Sequence, residues 1–453
     1  MQLPMQRRTF LRLFGAGSAT LALRRPLFAA TAQAPADEFF VFIHASGGWD
    51  VTLWADPRNE RRGLVEPAST ANTDPAALTH WSPTKLDGDS DTFEILSPTN
   101  STLRFGPGIG DLIDLHDRFT VINGLAMDTV SHPDGTSFSC TGRHLVGGRS
   151  PAASIDVALT NELGTMQLLP DIAINFPSAY VGDHLDRRAI PLRVANAGVM
   201  ARSLARSDAY LVNEDRAAIT ALLSEEARAL AGGSVYPEPF ERLASQHRAL
   251  PGLLGDELKT VFTQKALQEA YPAFDYKAKN TGSGALGAAF AVEAMKRNLV
   301  RCVGFSLGGL DTHNQNYKQH AHTQQEIFGT IAALVKLLDA TPHPNKHGAR
   351  LSEHTHMLVF SDFCRTPQIN LTGGRDHYPN NSALVISPRF VTNRAFGKTD
   401  LEQVLPADAG LSFSDGPRPI APPDLLATFL AAFAIEPRKY LRDGEVVKAM
   451  LRT

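Results

Sequence analysis

Cysteine is scarce in this chain: three occur among 453 residues, and no two are spaced as C-x-x-C. The odd count leaves at least one cysteine unpaired, and the missing C-x-x-C removes the usual sign of a zinc knuckle. Runs of Lys and Arg are absent beyond the N-terminus and the formal net charge is -3, so nucleic acid is not an expected partner. No segment reaches membrane-spanning length, so we expect no stable membrane span.

What is present suits a large folded core, since 43% of the residues are hydrophobic and 20% are charged. Strand-like apolar runs alternate with segments of helical spacing, which predicts an α/β fold whose largely parallel sheet is covered on both faces. The predicted strands include 39–43, 119–124, 171–176, 300–305, 356–360 and 382–386, and the predicted helices include 285–298, 324–338 and 424–433.

The N-terminus is typical of an export signal. In "QRRTFLRLFGAGSATLAL", Arg7 and Arg8 precede a short apolar stretch, and A-x-A cleavage patterns follow near residue 32. The paired arginines match the twin-arginine motif, so we expect a signal peptide over residues 1–34, the twin-arginine translocase as a transient partner, and a periplasmic or secreted protein. An ordinary amphipathic helix is the alternative.

The remaining residues, 35–453, are predicted to form one domain with two insertions. Residues 56–104 are rich in Pro, Ser, Thr, Asn and Asp, which favours a long loop insertion. Residues from about 205 to 280 carry many charges at helical spacing, which favours a helical insertion.

Carboxylates and imidazoles follow several of the predicted strands. Asp50, Asp311 with His313, and Asp362 each follow a strand-like run, and His377 precedes another. Ligands bind at the carboxyl edge of open parallel sheets, and divalent metals take carboxylate and imidazole ligands. We therefore expect these side chains to form a metal site.

A serine site is the competing interpretation. Gly304-Phe305-Ser306-Leu307-Gly308 matches the G-x-S-x-G pattern of serine hydrolases, and Ser306, Asp362 and His377 occur in the order of a triad. The residues after Gly308 are polar and turn-like, whereas a serine elbow requires a helix to start there. The sequence thus favours the metal, with a serine esterase kept as an alternative.

Several motifs together resemble one bacterial family. "GGLDTHNQ", "VFSDFCRTPQIN" and "GGRDHYPNNSALV", with "GGWD" and the twin-arginine start, look like the family labelled domain of unknown function 1501. That family resembles the alkaline phosphatase and sulfatase superfamily. The resemblance implies an αβα sandwich and metal-dependent hydrolysis of a phosphate or sulfate ester carried by an anionic small molecule or polymer.

The resemblance also implies roles for individual residues. The implied metal ligands are Asp50, Asp311, His313, Asp362 and His377. Phe363 stands where the superfamily has a further His, which favours one divalent ion over two. Zinc, manganese, calcium and magnesium are not distinguished.

The segment 131–148, "SHPDGTSFSCTGRHLVGG", is the implied counterpart of the nucleophile loop. Its candidate catalytic residues are Thr136, Ser137, Ser139 and Arg143, and Arg365 is a further candidate because arginine binds anionic groups bidentately. The sulfatase Cys-x-Pro-Ser-Arg signature is absent. For this segment the alternative is a substrate loop without a covalent role. For the whole chain the alternative is a catalytically inactive exported binding or assembly protein of the same fold.

The export signal generates the first prediction. Replacing Arg7 and Arg8 together by Lys should leave the precursor in the cytoplasm, because the twin-arginine pathway recognises the arginine pair. Cell fractionation followed by immunoblotting measures this outcome. Mature protein of the double variant outside the cytoplasm would contradict the assignment.

Overall fold

A computed structural model of the chain describes residues 37–58, 83–86, 90–93, 95–163, 167–197, 213–233 and 260–452. The predicted signal peptide, most of the predicted loop insertion and much of the predicted helical insertion lie outside the described residues. Within the helical insertion the structure describes two helices, Asn213–Gly233 and Gln264–Ala270.

An eight-stranded sheet forms the centre of the molecule. Its strands are β1 Phe39–Ala45, β4 Thr120–Ala126, β5 Asp171–Ile174, β6 Leu192–Val194, β7 Cys302–Leu307, β8 Thr355–Ser361, β11 Asn380–Ile386 and β12 Arg394–Phe396. Their order across the sheet is β12-β4-β11-β8-β1-β7-β5-β6. Three two-stranded pairs complete the strands: β2 Pro83–Leu86 with β3 Ser90–Phe93, β9 Cys364–Arg365 with β10 His377–Tyr378, and β13 Lys398–Thr399 with β14 Pro406–Ala407.

The central strand is β1, whose seven residues are all buried. It pairs in parallel with β7 on one side, where Phe40 lies opposite Cys302, and with β8 on the other, where Phe40 lies opposite His356. An uninterrupted apolar run of this kind is what a strand covered on both faces requires. The ends of β1, β7 and β8 therefore meet at one edge of the sheet.

Helices cover both faces of the sheet. They are α1 His132–Thr141, α2 Ile155–Leu163, α3 Asn213–Gly233, α4 Gln264–Ala270, α5 Gly282–Lys296, α6 Ala321–Ala340 and α7 Pro422–Ala431. Strand β7 shows the two layers. A Cβ added at Gly287 of α5 would lie 3.0 Å from the Cβ of Phe305. The thiol of Cys302, three residues earlier on the same strand, donates to the carbonyl of Asp156 in α2. Alternate side chains of a strand point to opposite faces, so α5 and α2 lie on opposite sides and the fold is an αβα sandwich.

Short helical turns connect these elements. The 3-10 turns are Val51–Leu53, Pro107–Arg118, Arg187–Ala189, Leu351–His354, Pro437–Lys439 and Lys448–Met450, and a π-helical turn spans Asn316–His320 directly before α6. No helix among the described residues is long and apolar enough to cross a membrane.

The expected parallel sheet is confirmed with one exception. Strand β11 runs antiparallel to both of its neighbours, β4 and β8, so the sheet is mixed. The sequence pattern also missed the outer strands β6 and β12, because each has only three residues and two of those three are exposed. All three cysteines, Cys140, Cys302 and Cys364, are buried and unpaired.

A buried ion pair ties the start of β1 to β8. Glu38 is 6% exposed and accepts a hydrogen bond from Nε2 of His356 at 2.8 Å, while Arg389 approaches its other oxygen at 3.3 Å. Burial alone would raise the pKa of Glu38, but the hydrogen bond and charge of His356 lower this pKa to about 2. The ionised carboxylate is therefore favoured in the folded protein.

This pair generates the second prediction. Glu38→Gln should lower the free energy of unfolding at pH 7 by about 1–3 kcal/mol, because a charged acceptor inside the protein is replaced by a neutral one. The contribution of Glu38 is complete above its ordinary pKa of 4.5 and is lost as the pH falls towards 2. Urea unfolding at several pH values should show the gap between wild type and variant closing over this range, with the exposed Glu402→Gln as the control. A gap of equal size at pH 3 and pH 7 would be inconsistent with this account.

Candidate metal centre

Four chain segments meet at the carboxyl edge of the sheet. Asp311 follows β7, Asp362 follows β8, His132 begins α1, and His377 lies in β10. Two glycines allow the close approach. A Cβ at Gly135 would lie 2.2 Å from the carbonyl oxygen of Asp362, so α1 can rest against the end of β8 only without a side chain there.

The second glycine is in the turn after β1. Gly47 has a φ of +112°, and a Cβ at this position would lie 2.3 Å from the backbone nitrogen of Asp311. Only glycine adopts this conformation readily while allowing another backbone to pass so close. The Gly-rich turn of "HASGGWD" thus brings the end of β1 against the segment that carries Asp311.

Three histidines of the site have one ring nitrogen held by an acceptor. Nδ1 of His132 lies 2.7 Å from the carboxylate of Asp362, and Nδ1 of His313 lies 2.7 Å from the carboxylate of Asp376. Nδ1 of His377 lies 2.8 Å from a backbone carbonyl oxygen, that of Val130. Carboxylates and carbonyls only accept hydrogen bonds, so each Nδ1 carries the proton and each neutral ring has its lone pair on Nε2.

The three Nε2 atoms converge on one carboxylate oxygen. Oδ1 of Asp311 lies 3.2 Å from Nε2 of His132, 3.2 Å from Nε2 of His313 and 3.7 Å from Nε2 of His377. The Nε2 atoms of His132 and His377 are buried and make no hydrogen bond. With Asp311 they form a group of ligand atoms that all lie within 4.8 Å of one another.

This arrangement has an electrostatic consequence. Lone pairs of imidazole nitrogen and carboxylate oxygen that face one another repel unless a proton or a metal cation lies between them. Holding Nδ1 by a carboxylate or carbonyl is also how proteins orient a histidine that binds metal through Nε2. The orphaned nitrogens and the donor set therefore fit a divalent ion.

The charges in the site are set by these neighbours. Burial raises the pKa of Asp311, but the hydrogen bond from Arg365 and the nearby His132 bring this pKa down to about 2. The hydrogen bond to Asp362 raises the pKa of His132, while burial lowers the pKa of His377. Asp311 is thus an anion at neutral pH and forms the negative centre of the cluster.

Asp362 lies behind His132, away from the converging Nε2 atoms. Its Oδ2 receives hydrogen bonds from Nδ1 of His132 and from the backbone N–H of Gly47 at 3.0 Å. Its Oδ1 contacts Nε2 of His44 and accepts from the hydroxyl of Thr136 at 2.8 Å. In the structure Asp362 orients a histidine of the cluster rather than joining it.

Asp50 is not brought to the cluster either. Its carboxylate is fully buried and lies 3.0 Å from Nη1 of Arg375, and it accepts from Asn316 at 2.8 Å. Its backbone N–H donates to Nε2 of His320, whose Nδ1 lies 2.7 Å from the hydroxyl of Thr312. This buried network holds the Asp311–His313 segment from behind.

Arg365 forms a wall of the site. Its fully buried guanidinium donates to Oδ1 of Asp311 at 2.9 Å. It also donates to backbone carbonyls, those of Gly48, Leu310 and Arg375, and contacts that of Gly47. These contacts direct its N–H groups at protein acceptors. Phe363 lies beside it as a second wall, with its ring 4.7 Å from that of His132 and 4.5 Å from that of His377.

Of the predicted nucleophiles, Thr136 lies nearest to this machinery. It is one helical turn after His132 on α1, and both side chains bind Asp362. The hydroxyls of Ser137 and Ser139 donate to the backbone carbonyls of Arg143 and Ser361. Arg143 itself follows the end of α1 and is half-buried.

The serine alternative has a different geometry from the one expected. Ser306 lies inside strand β7 rather than at a strand-to-helix elbow, and its hydroxyl donates to the carbonyl of Asn175 at 2.6 Å. The imidazole beside it is that of His44, whose Nδ1 is 3.4 Å away, and not that of His377.

Sequence reasoning missed His132 and Asp376 as parts of the site. A signal for the first existed: Pro133 marks the start of a helix, which places His132 on its first turn. The role of Asp376 had no local signal, because His313 is 63 positions away in the chain.

The fold can be compared with solved structures. Ps i-CgsB, in its complex with k-i-k-neocarrahexaose, is 11% identical with a TM-score of 0.36, covering 90% of this chain and 75% of that chain. A protein in the alkaline phosphatase superfamily from Vibrio parahaemolyticus is 7% identical with a TM-score of 0.32, covering 95% and 76%. The phosphonate monoester hydrolase of Agrobacterium radiobacter is 12% identical with a TM-score of 0.33, covering 91% and 77%.

At TM-scores this low, neither the substrate nor the mechanism of these proteins can be assigned to this chain. No curated protein matches it in sequence. One family model does match, over residues 39–445, and its description is "Protein of unknown function (DUF1501)". That match includes every residue of the site and nearly all of the sheet, and the chain therefore belongs to the DUF1501 family.

Proposed function

We propose that this protein is an exported, metal-dependent hydrolase of phosphate or sulfate esters. The observation that carries the proposal is the convergence of three imidazole Nε2 atoms on Oδ1 of Asp311, each with its Nδ1 held by an acceptor. The Nε2 atoms of His132 and His377 have no hydrogen-bond partner beside this anion, which supports a divalent ion between them. Its position at the carboxyl edge of a mainly parallel sheet is where α/β proteins bind ligands.

His132, Asp311 and His377 would hold the ion, and Nε2 of His313 lies 3.2 Å from the same carboxylate oxygen of Asp311. Imidazole-rich sites suit zinc and similar transition metals better than magnesium or calcium, which prefer oxygen ligands. When bound, such an ion supplies a Lewis acid that polarises a phosphoryl or sulfuryl oxygen.

Groups of the protein itself would supply the nucleophile and bind the anionic ester. The hydroxyl of Thr136 lies on the first turns of α1 and donates a 2.8 Å hydrogen bond to Oδ1 of Asp362. The N-terminus of α1 carries partial positive charge and favours an anionic ester beside it. We assign Thr136 as the leading candidate nucleophile, and Arg365 and Phe363 as the walls that keep the histidines in place.

The site generates a third prediction, on metal binding. Asp311→Ala and His377→Ala should each weaken binding of zinc by more than about 100-fold, because even outer-shell changes commonly cost about 10–100-fold. The double variant should be little weaker than either single one, since residues that serve one ion are not additive. Isothermal titration calorimetry of the purified mature protein measures the affinities.

The exposed His347→Ala is a matched control and should bind zinc as the wild type does. Asp376→Asn tests the orienting role, because it leaves the Nε2 atom of His313 present but removes the anion that holds the ring. Equal affinity in Asp311→Ala and in the wild type would refute the shared site.

The fourth prediction concerns turnover. The zinc-loaded protein should hydrolyse p-nitrophenyl phosphate or p-nitrophenyl sulfate, and chelation should remove this activity while added metal restores it. Thr136→Ala should lower kcat by at least about 100-fold if its hydroxyl is the nucleophile. A protein that binds zinc normally but turns over neither ester would instead be an exported binding protein of the same fold.

A further inference from the structure

A cavity lies at the same edge of the sheet, next to His44, which contacts Asp362. It has a volume of about 470 Å³ and lies at the ends of β1, β5, β6 and β7. Its walls include His44, Ser46, Asn175, Phe176, Arg193 and Ser306. A space of this size holds a small organic ligand. None of the residues in the converging metal cluster lines it.

His44 lies between an acid and a serine in this cavity. Its Nε2 contacts Oδ1 of Asp362, and its Nδ1 lies 3.4 Å from Oγ of Ser306. Because the carboxylate of Asp362 only accepts, Nε2 carries the proton and the lone pair of Nδ1 faces the serine. A nucleophile within reach of a base that a third group orients is the arrangement of covalent catalysis.

The serine hydroxyl is accessible and able to turn. Ser306 is half-buried at the cavity wall, and its hydroxyl now donates to the carbonyl of Asn175 at 2.6 Å. Rotation about one side-chain bond redirects that proton towards Nδ1 of His44. Catalytic hydrogen bonds are often long in ligand-free proteins and tighten when substrate binds.

Groups that stabilise negative charge line the same cavity. The guanidinium of Arg193 is anchored through Nη2 to the carbonyl of Ser178, and the side chain of Asn175 offers amide N–H donors. Donors of this kind stabilise the oxyanion that forms when a carbonyl carbon is attacked.

We propose that Ser306, His44 and Asp362 form a second catalytic site, which hydrolyses small carboxylic esters. Oγ of Ser306 forms a bond to the ester carbonyl carbon as its proton moves to Nδ1 of His44. The bond to the alkoxy group then breaks, and the proton passes to the leaving alcohol. Water releases the acid in the same way and restores the serine.

The two proposed sites share Asp362. Oδ1 contacts His44 and also accepts from Thr136, while Oδ2 orients His132. The contacts among Ser306, His44 and Asp362 include no residue that would hold the metal, so ester hydrolysis at Ser306 needs no metal at Asp311. Carboxylic esters fit the cavity because Phe176 and Val194 give it apolar walls for an acyl or alkyl group, while Asn175 and Arg193 add hydrogen-bond donors to the same lining.

The test uses the mature protein, a fluorophosphonate probe and p-nitrophenyl acetate. The probe should label Ser306, identified by peptide mass spectrometry, both before and after chelation of metal. Ser306→Ala should abolish labelling and lower acetate hydrolysis by at least about 100-fold. Ser412→Ala is the matched control, because Ser412 is exposed and does not line this cavity, and it should behave as the wild type.

His44→Gln separates the base from the fold. The Gln amide can still donate to Asp362, so an unchanged thermal midpoint with lost labelling identifies His44 as the base. Labelling that persists at Ser306 in this variant would overturn the role of His44. Absence of labelling in the wild type, or labelling at another serine, would overturn the site as a whole.

Discussion

The carboxylate of Asp362 is the interaction on which the rest of the functional edge depends. It gathers the turn after β1 through Gly47, the end of β1 through His44, and the first turns of α1 through His132 and Thr136. Burial would raise its pKa, but the interactions with His44 and the hydrogen bond from His132 lower it, so the group stays ionised in the interior. A buried carboxylate with four partners fixes the relative positions of three chain segments that are distant in sequence.

The geometry of the proposed metal site follows from this constraint. Asp362 determines which nitrogen of His132 carries the proton, and thereby which nitrogen faces Asp311. Asp376 and the carbonyl of Val130 do the same for His313 and His377. A second buried network supports the arrangement. Burial lowers the pKa of His320 to about 4, so this ring is neutral. Its Nε2 accepts from the backbone N–H of Asp50, and its Nδ1 is hydrogen-bonded to the hydroxyl of Thr312.

The same constraint explains why the two proposed sites lie side by side. In a largely parallel sheet, neighbouring strands deliver their carboxyl ends to one edge, and each loop adds its own side chains there. Strand β8 contributes Asp362, and its neighbour β1 contributes His44. Membership in a family of unknown function leaves both activities open to measurement, and the zinc affinity and the serine labelling test them separately.

The sequence by itself determined the fold class and most of the sheet. The apolar runs of β1, β7 and β8 are long enough to identify buried strands, and the family motifs located Asp311, His313 and His377 near one edge. Tertiary structure alone decided which polar groups face one another. Asp50 and Asp362 follow strands just as Asp311 does, yet one pairs with Arg375 and the other orients histidines. Arg375 and His132 lie more than 200 positions from the acids they contact, and local spacing in the sequence does not reveal hydrogen bonds between groups so far apart.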